Sequence, residues 1–109
     1  MSEWAIEPEP VPLVWDKAGR LMVAGTRVPL DTLVIAFERG DSPETIHQSY
    51  PSVPLGDIYA IFAYCLRHRD ETDAYMTRRA TQLADLRDRV EARFPVDGVR
   101  ARLLAHTGA

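Results

Sequence analysis

Residues 25–64 read GTRVPLDTLVIAFERGDSPETIHQSYPSVPLGDIYAIFAY and contain most of the signals that specify the structure. Four apolar residues in the first half have the i, i+3, i+4, i+7 spacing of one helical face: Leu30, Leu33, Val34 and Phe37. This pattern predicts a first helix from about Leu30 to Arg39, and Gly40 is a suitable residue to end it. The segment therefore opens with a short amphipathic helix.

A second helix is predicted from its start and stop signals rather than from its length. Ser42 is suited to the N-cap and Pro43 to the first helical position. The helix should end near Ser49, because Tyr50 precedes Pro51 and is disfavoured in the helical region.

A third helix should begin near Leu55 and supply the centre of the core. Its apolar residues repeat at intervals of three and four: Ile58, Ile61, Phe62, Cys65 and Leu66. A fourth, longer helix is predicted from an Asp70 cap to about Phe94, the alternative being that it is nearly continuous with the third.

The flanking segments complete the predicted architecture. Residues 11–16 and 21–24 read as two strands around a Lys17–Arg20 turn, which indicates a β-hairpin. We expect a loose arm over residues 1–10, a hairpin and three-helix domain over 11–70, and a helical extension over 71–109. One more short helix is possible within 99–106. The fold class is mainly α, with an N-terminal β-hairpin, a homeodomain-like helix-turn-helix module and a longer C-terminal helix.

Charge is distributed unevenly along the 109 residues, whose net charge is −3. Through Leu66 the chain has four basic and nine acidic residues, and from Arg67 onward it has nine basic and seven acidic residues, so the two parts carry −5 and +2. Proteins that bind nucleic acid without sequence preference usually have a clearer basic excess. The charge pattern permits DNA binding through the later part without requiring it.

Composition and residue spacing favour a cytoplasmic, non-catalytic protein. There is one cysteine, Cys65, and no apolar run approaches the ~18 residues of a membrane span. The histidines, His47, His68 and His106, lack metal-ligand spacing with Cys65 or the acids. Cys65 falls on the apolar face of the third helix, so we predict no catalytic residue, metal site or cofactor.

The motifs together resemble a bacterial family, the domain-of-unknown-function family 433. Its pattern is matched in order by five segments: Gly25–Pro29, Gly40–Ile46, Tyr50–Pro51, Leu55–Ile58 and Ala63–Tyr64. The resemblance implies a homeodomain-like fold with an N-terminal hairpin and an antitoxin role beside a PIN-like nuclease. It also implies a DNA-binding repressor whose C-terminal extension masks the toxin, and it supplies no catalytic residues.

If the helix-turn-helix module binds DNA, its contacts should come from exposed polar residues around the third helix. The candidates are Arg27, His47, Gln48, Ser52, Tyr59 and Arg67. The start of this helix lacks the Arg, Lys, Asn and Gln side chains that read bases, and the preceding connection exceeds the usual turn of about 3–4 residues. The alternative reading is that the third helix belongs simply to the core.

The fourth helix carries the candidates for binding a protein partner. They form a narrow apolar stripe with arginines: Met76, Arg79, Leu83, Leu86, Arg87, Val90 and Arg93. A solvated helix with local pairs such as Asp85–Arg89, or packing on its own domain or a twin subunit, would produce a similar pattern.

From these observations we predict an antitoxin that binds a PIN-like ribonuclease through about Met76 to Leu104 and binds operator DNA as a homodimer. The alternatives are a stand-alone transcriptional regulator and a dimeric adaptor that does not bind DNA.

Overall fold

The computed structural model describes residues 3–93, which comprise a two-stranded hairpin followed by four helices. The elements are β1 Leu13–Trp15, β2 Leu21–Val23, α1 Leu30–Glu38, α2 Pro43–Ser49, α3 Leu55–Arg67 and α4 Arg69–Arg93. The predicted fold class is therefore confirmed: the protein is mainly helical, with an N-terminal hairpin and a long last helix. The described residues fall into two compact units, which divide between Thr72 and Asp73.

The hairpin is closed by Asp16. Strands β1 and β2 pair antiparallel, with Leu13 opposite Val23 and Trp15 opposite Leu21. The Asp16 carboxylate accepts hydrogen bonds from the backbone N–H of Ala18 and Arg20, at 2.9 and 2.8 Å, and from the Arg20 guanidinium at 2.9 Å. The Arg20 backbone N–H is the main cause of the lowered pKa of Asp16.

A tight turn at Gly25 and Thr26 redirects the chain from β2 into α1. Gly25 has a φ of +75°, which favours glycine. The Thr26 hydroxyl donates to the Val23 carbonyl at 2.9 Å and accepts from the Val28 N–H at 3.0 Å. This turn is local structure, so the glycine and threonine of the motif are explained without a ligand.

The junction between α1 and α2 follows its predicted signals. Gly40 has a φ of +99° just after the end of α1. Ser42 is the N-cap of α2 and accepts from the Thr45 N–H at 3.2 Å, while Pro43 occupies the first turn. These local signals set the start of α2, and Ile46 is its buried residue.

The core of the first unit is formed by side chains from β2, α1, α2, the α2–α3 connection and α3. The largest fully buried side chains are Val23, Leu30, Leu33, Ile46, Val53, Ile58 and Ile61. Two predicted core positions are wrong: Leu66 is 56% exposed and Phe37 is 42% exposed, although the Phe37 ring lies 4.6 Å from that of Phe62. Both lie near the C-terminal ends of their helices, where the apolar face continues beyond the elements that cover it.

Helices α3 and α4 are separated by one residue. His68 has φ −125° and ψ 52°, outside the helical region. Its carbonyl nevertheless accepts from both the backbone N–H and the hydroxyl of Thr72, at 2.9 and 2.8 Å. The two helices are thus nearly continuous, as the alternative interpretation held. The predicted Asp70 cap is wrong, because α4 begins at Arg69 and Asp70 lies in its first turn.

The described part of α4 ends at Arg93, so Phe94, the possible helix within 99–106 and the arm's first two residues lie outside the described residues. Residues 3–10 have no regular secondary structure. Within residues 3–93, no helix combines the length and apolar character needed to cross a membrane.

Candidate interaction surfaces

The predicted partner-binding residues occupy one face of α4. At 3.6 residues per turn, the seven positions from Met76 to Arg93 fall within an arc of about 120°. Leu83, Leu86 and Val90 run along this arc, and Arg87 and Arg93 lie on its two sides. We call these five residues the α4 face.

The α4 face is open to solvent. Leu83 is 47% exposed, Leu86 55% and Val90 50%, and every residue from Ala80 to Arg93 is exposed. Burying such side chains would be favourable, since removing apolar area from water contributes roughly 25 cal/mol per Å². Within the described chain, nothing covers this apolar row.

The charge of the α4 face is basic. Arg87 and Arg93 form no ion pair with residues 3–93. Asp85 and Asp88 lie on the other side of the helix, about 100° or more from the apolar row, whereas Glu91 lies about 40° beyond Arg87 and forms no ion pair with it. The local pair between Asp85 and Arg89, which belonged to the alternative reading of this helix as a solvated one, is not formed in the described chain. The apolar row is therefore accompanied by cations rather than by neutralised pairs.

The first turns of α4 differ from the rest. Tyr75 is buried, Met76 is half-buried, and the Arg78 guanidinium lies 5.4 Å from the centre of the Tyr75 ring. Arg79 is also half-buried and donates to the Gln82 side chain at 2.9 Å. Of the predicted partner residues, Met76 and Arg79 are thus half-buried, and the five of the α4 face are exposed.

Two of the predicted DNA-contacting residues have internal partners. His47 is half-buried, and its Nδ1 lies 2.7 Å from the Val53 carbonyl, which connects α2 to the turn before α3. The Tyr59 hydroxyl donates to the Glu44 carboxylate and links α3 to α2. This bond lowers the pKa of Glu44 and raises that of Tyr59. A carboxylate beside Tyr59 disfavours an approaching phosphate.

The other four DNA candidates are exposed but dispersed. Arg27 precedes α1, Gln48 lies in the last turn of α2, Ser52 lies in the α2–α3 connection, and Arg67 ends α3. Tyr59 and Arg67 are separated by about 12 Å along α3 at 1.5 Å per residue. The structure does not gather the six candidates into one basic surface.

The exposed side of α3 is instead mostly apolar. Between Asp57 in the first turn and Arg67 in the last, α3 has no charged residue, and its exposed large side chains are Tyr59, Tyr64 and Leu66. Sequence periodicity missed the exposure of Leu66 and Phe37, because it assigned both to the buried face. The helical glycine, Gly56, was the available signal that the outer side of α3 differs from an ordinary solvated helix.

Cys65 and the histidines form no reactive cluster in the described chain. Cys65 is half-buried, and burial raises the pKa of its thiol, which disfavours the thiolate needed for nucleophilic attack. Among residues 3–93 there is no group of three or more His, Cys, Asp or Glu side chains placed to hold a metal ion.

Comparison with known proteins identifies a family through the first unit alone. No match was found among curated proteins or among solved structures. Residues 17–65 match a family described as "Protein of unknown function (DUF433)". This range includes the Gly25 turn, α1, α2 and most of α3, and it leaves α4 outside. The match covers just under half of the 109 residues, and it is to the same family that the sequence motifs resemble.

Proposed function

We propose that this protein is an antitoxin-like component of a bacterial toxin–antitoxin pair, which binds and neutralises a PIN-like ribonuclease through α4. The observation that supports the proposal best is the exposed, basic and apolar α4 face. A helix with one apolar side is a common element for docking into a groove. The nuclease as partner comes from the family resemblance of residues 17–65, not from α4 itself.

The side chains of the α4 face suit an acidic catalytic centre. Arg87 and Arg93 lack internal partners among residues 3–93 and can form two parallel hydrogen bonds to a carboxylate. A PIN-like nuclease holds its metal ions with carboxylates, so the arginines would compete for those groups. Leu83, Leu86 and Val90 would bury their apolar surface against the rim and exclude RNA.

The proposal is tested by purifying the tagged full-length protein from its native host and identifying any stoichiometric partner by mass spectrometry. We expect a PIN-like protein whose ribonuclease activity, measured on a fluorescent RNA after separation, is inhibited when the purified protein is added back. A partner with no ribonuclease activity would support an adaptor role instead. Recovery of the protein without a partner, together with no inhibition of a PIN-like nuclease encoded beside it, would contradict the proposal.

Operator DNA is a second proposed partner, favoured by the succession of the short helices α1, α2 and α3. Because the start of α3 has no base-reading side chain, we expect contacts mainly to phosphates, from Arg27, Gln48, Ser52 and Arg67. Fluorescence anisotropy with the protein's own promoter at several salt concentrations would measure this. If the protein binds its promoter no more tightly than unrelated DNA, it is not a repressor. This outcome would contradict the DNA-binding role of an antitoxin and of a stand-alone regulator alike.

The proposal places the protein in the cytoplasm as a homodimer. A reducing compartment would keep Cys65, the single cysteine, as a thiol. Pairing through the open edge of β1 is one route to a dimer, since the two-stranded sheet leaves that edge free of a neighbouring strand within the described chain.

A further inference from the structure

The outer side of α3 is an exposed apolar surface in the family domain. Tyr59 is 49% exposed and Tyr64 42%, and they flank a row of smaller residues formed by Gly56, Ala60 and Ala63. Leu66 and Phe37 extend the apolar area on the Tyr59 side, where the Phe37 ring contacts Phe62. At 150–250 Å² for a fully exposed large side chain, these residues leave roughly 400 Å² of apolar surface in water. Patches of this size on monomers are often functional.

Among the described residues, no packing contact explains why position 56 is a glycine. A Cβ atom built on Gly56 would meet no heavy atom within 4 Å, and its φ is not positive. Glycine in a helix is about 1 kcal/mol less favourable than alanine. A second molecule lying against α3 would explain the glycine, because a residue without a side chain allows two helix backbones to approach closely.

The two charges of α3 make its outer side complementary to itself. Asp57 lies in the first turn and Arg67 in the last, and the thirteen-residue helix has no other charged side chain. If two α3 helices cross antiparallel about a twofold axis near Phe62, Asp57 of each copy faces Arg67 of the other. The same arrangement places the tyrosines and Leu66 of the two copies in contact across the small residues.

We propose that the outer side of α3 is a homodimer interface, in which α3 packs antiparallel against α3 of a second copy. DNA is a poorer occupant, because Asp57 and Glu44 would face phosphates and no base-reading side chain precedes Arg67. An interface of roughly 400 Å² of apolar area per copy is at the small end for stable complexes, so dissociation should occur at micromolar concentrations. This interface is independent of the toxin proposal. It makes α3 unavailable for insertion into a groove and engages Arg67, so phosphate contacts in such a dimer would be left to Arg27, Gln48 and Ser52.

Charge reversal gives the first test. Sedimentation equilibrium of the full chain at several concentrations would compare the wild type, Asp57→Arg, Arg67→Glu and the double variant. Each single variant places like charges together in the dimer and should raise the dissociation constant at least tenfold. The double variant restores opposite charges and should return to within about threefold of the wild type, even though both changes oppose the helix dipole in each copy.

Gly56→Gln gives a second test that does not depend on destabilising the fold. Its side chain projects into open space in the single copy, so thermal stability should be unchanged or higher, whereas the dimer should weaken at least tenfold. Ser49→Gln, at an exposed position of α2, is the matched control and should leave the dissociation constant unchanged.

A wild type that remains monomeric up to about millimolar concentration would overturn the proposal. Dimer affinity that is unaltered in Gly56→Gln and in both charge variants would also overturn it and would leave the β1 edge as the contact. Weakening by both single charge variants without recovery in the double variant would contradict the antiparallel arrangement.

Discussion

If α4 docks a partner as proposed, we predict that Leu83 and Leu86 stabilise the complex without stabilising the free protein. Each is about half exposed, so docking would bury only the remaining half of each side chain. Full burial of a leucine contributes roughly 1.5–3 kcal/mol, which leaves about 1 kcal/mol per residue for docking. Replacing both by alanine should therefore cost about 2 kcal/mol, or roughly thirtyfold in affinity.

Replacement of both leucines by aspartate should weaken binding further. The new carboxylates would lose hydration and face the acidic centre of a PIN-like nuclease, so we expect at least a hundredfold loss of affinity. Isothermal titration calorimetry with the copurified partner would measure the dissociation constants. Circular dichroism should give thermal unfolding close to that of the wild type, because exposed substitutions usually change stability by less than about 0.5 kcal/mol.

The matched control carries the same charge change on the opposite side of α4. Thr81 and Ala92 are exposed and lie roughly 160–180° around the helix from Leu83. Thr81→Asp combined with Ala92→Asp should leave partner affinity within about threefold of the wild type. The reasoning is refuted if Leu83→Asp with Leu86→Asp also binds within threefold, or if the control pair weakens binding equally.

Three further predictions concern the first unit. Ser42→Ala removes the cap bond to the Thr45 N–H and should lower the free energy of unfolding by about 1 kcal/mol, measured by urea denaturation. Ile46→Ala empties the buried position of α2 and should cost about 2–5 kcal/mol, so an effect below 1 kcal/mol would mean that α2 does not pack as described. For Asp16, whose pKa is lowered below its ordinary value of 3.8, the stabilising effect should be fully present above about pH 4 and disappear as the pH falls through the folded-state pKa. The difference in unfolding free energy between the wild type and Asp16→Asn should therefore be positive at pH 7 and should shrink as the pH falls below 3.8, and a difference that grows on acidification would contradict this sign.

The sequence predicted best those features that depend on neighbouring residues. The start of α2 is set by two adjacent residues. Ser42 accepts a hydrogen bond from an N–H group of the first turn, and Pro43 has no N–H group that would need a partner, so the signal is local. The same holds for the end of α1 before Gly40 and for the hairpin, whose turn residues were identified by composition. For these elements, no tertiary contact had to be known.

Features that depend on what covers a helix face could not be read from spacing. Periodicity correctly grouped Phe37 with Leu30 and Leu33, but whether the last turn is covered depends on the extent of the neighbouring elements. The break at His68 was equally hidden, because neither proline nor glycine marks it. His47 illustrates the same limit at the candidate DNA surface, since its hydrogen bond to Val53 depends on the path of the intervening turn.

Hydrogen exchange of the full chain, with and without the copurified partner, tests most directly whether α4 is the docking surface. Backbone amides of residues 80–93 lie in an exposed helix with no cover among the described residues, so they should exchange rapidly in the free protein. We predict that partner binding slows exchange across residues 80–93 and leaves the hairpin and α2 nearly unchanged. Protection confined to residues 13–67, with residues 80–93 still exchanging rapidly, would contradict the assignment of α4 as the partner-binding element.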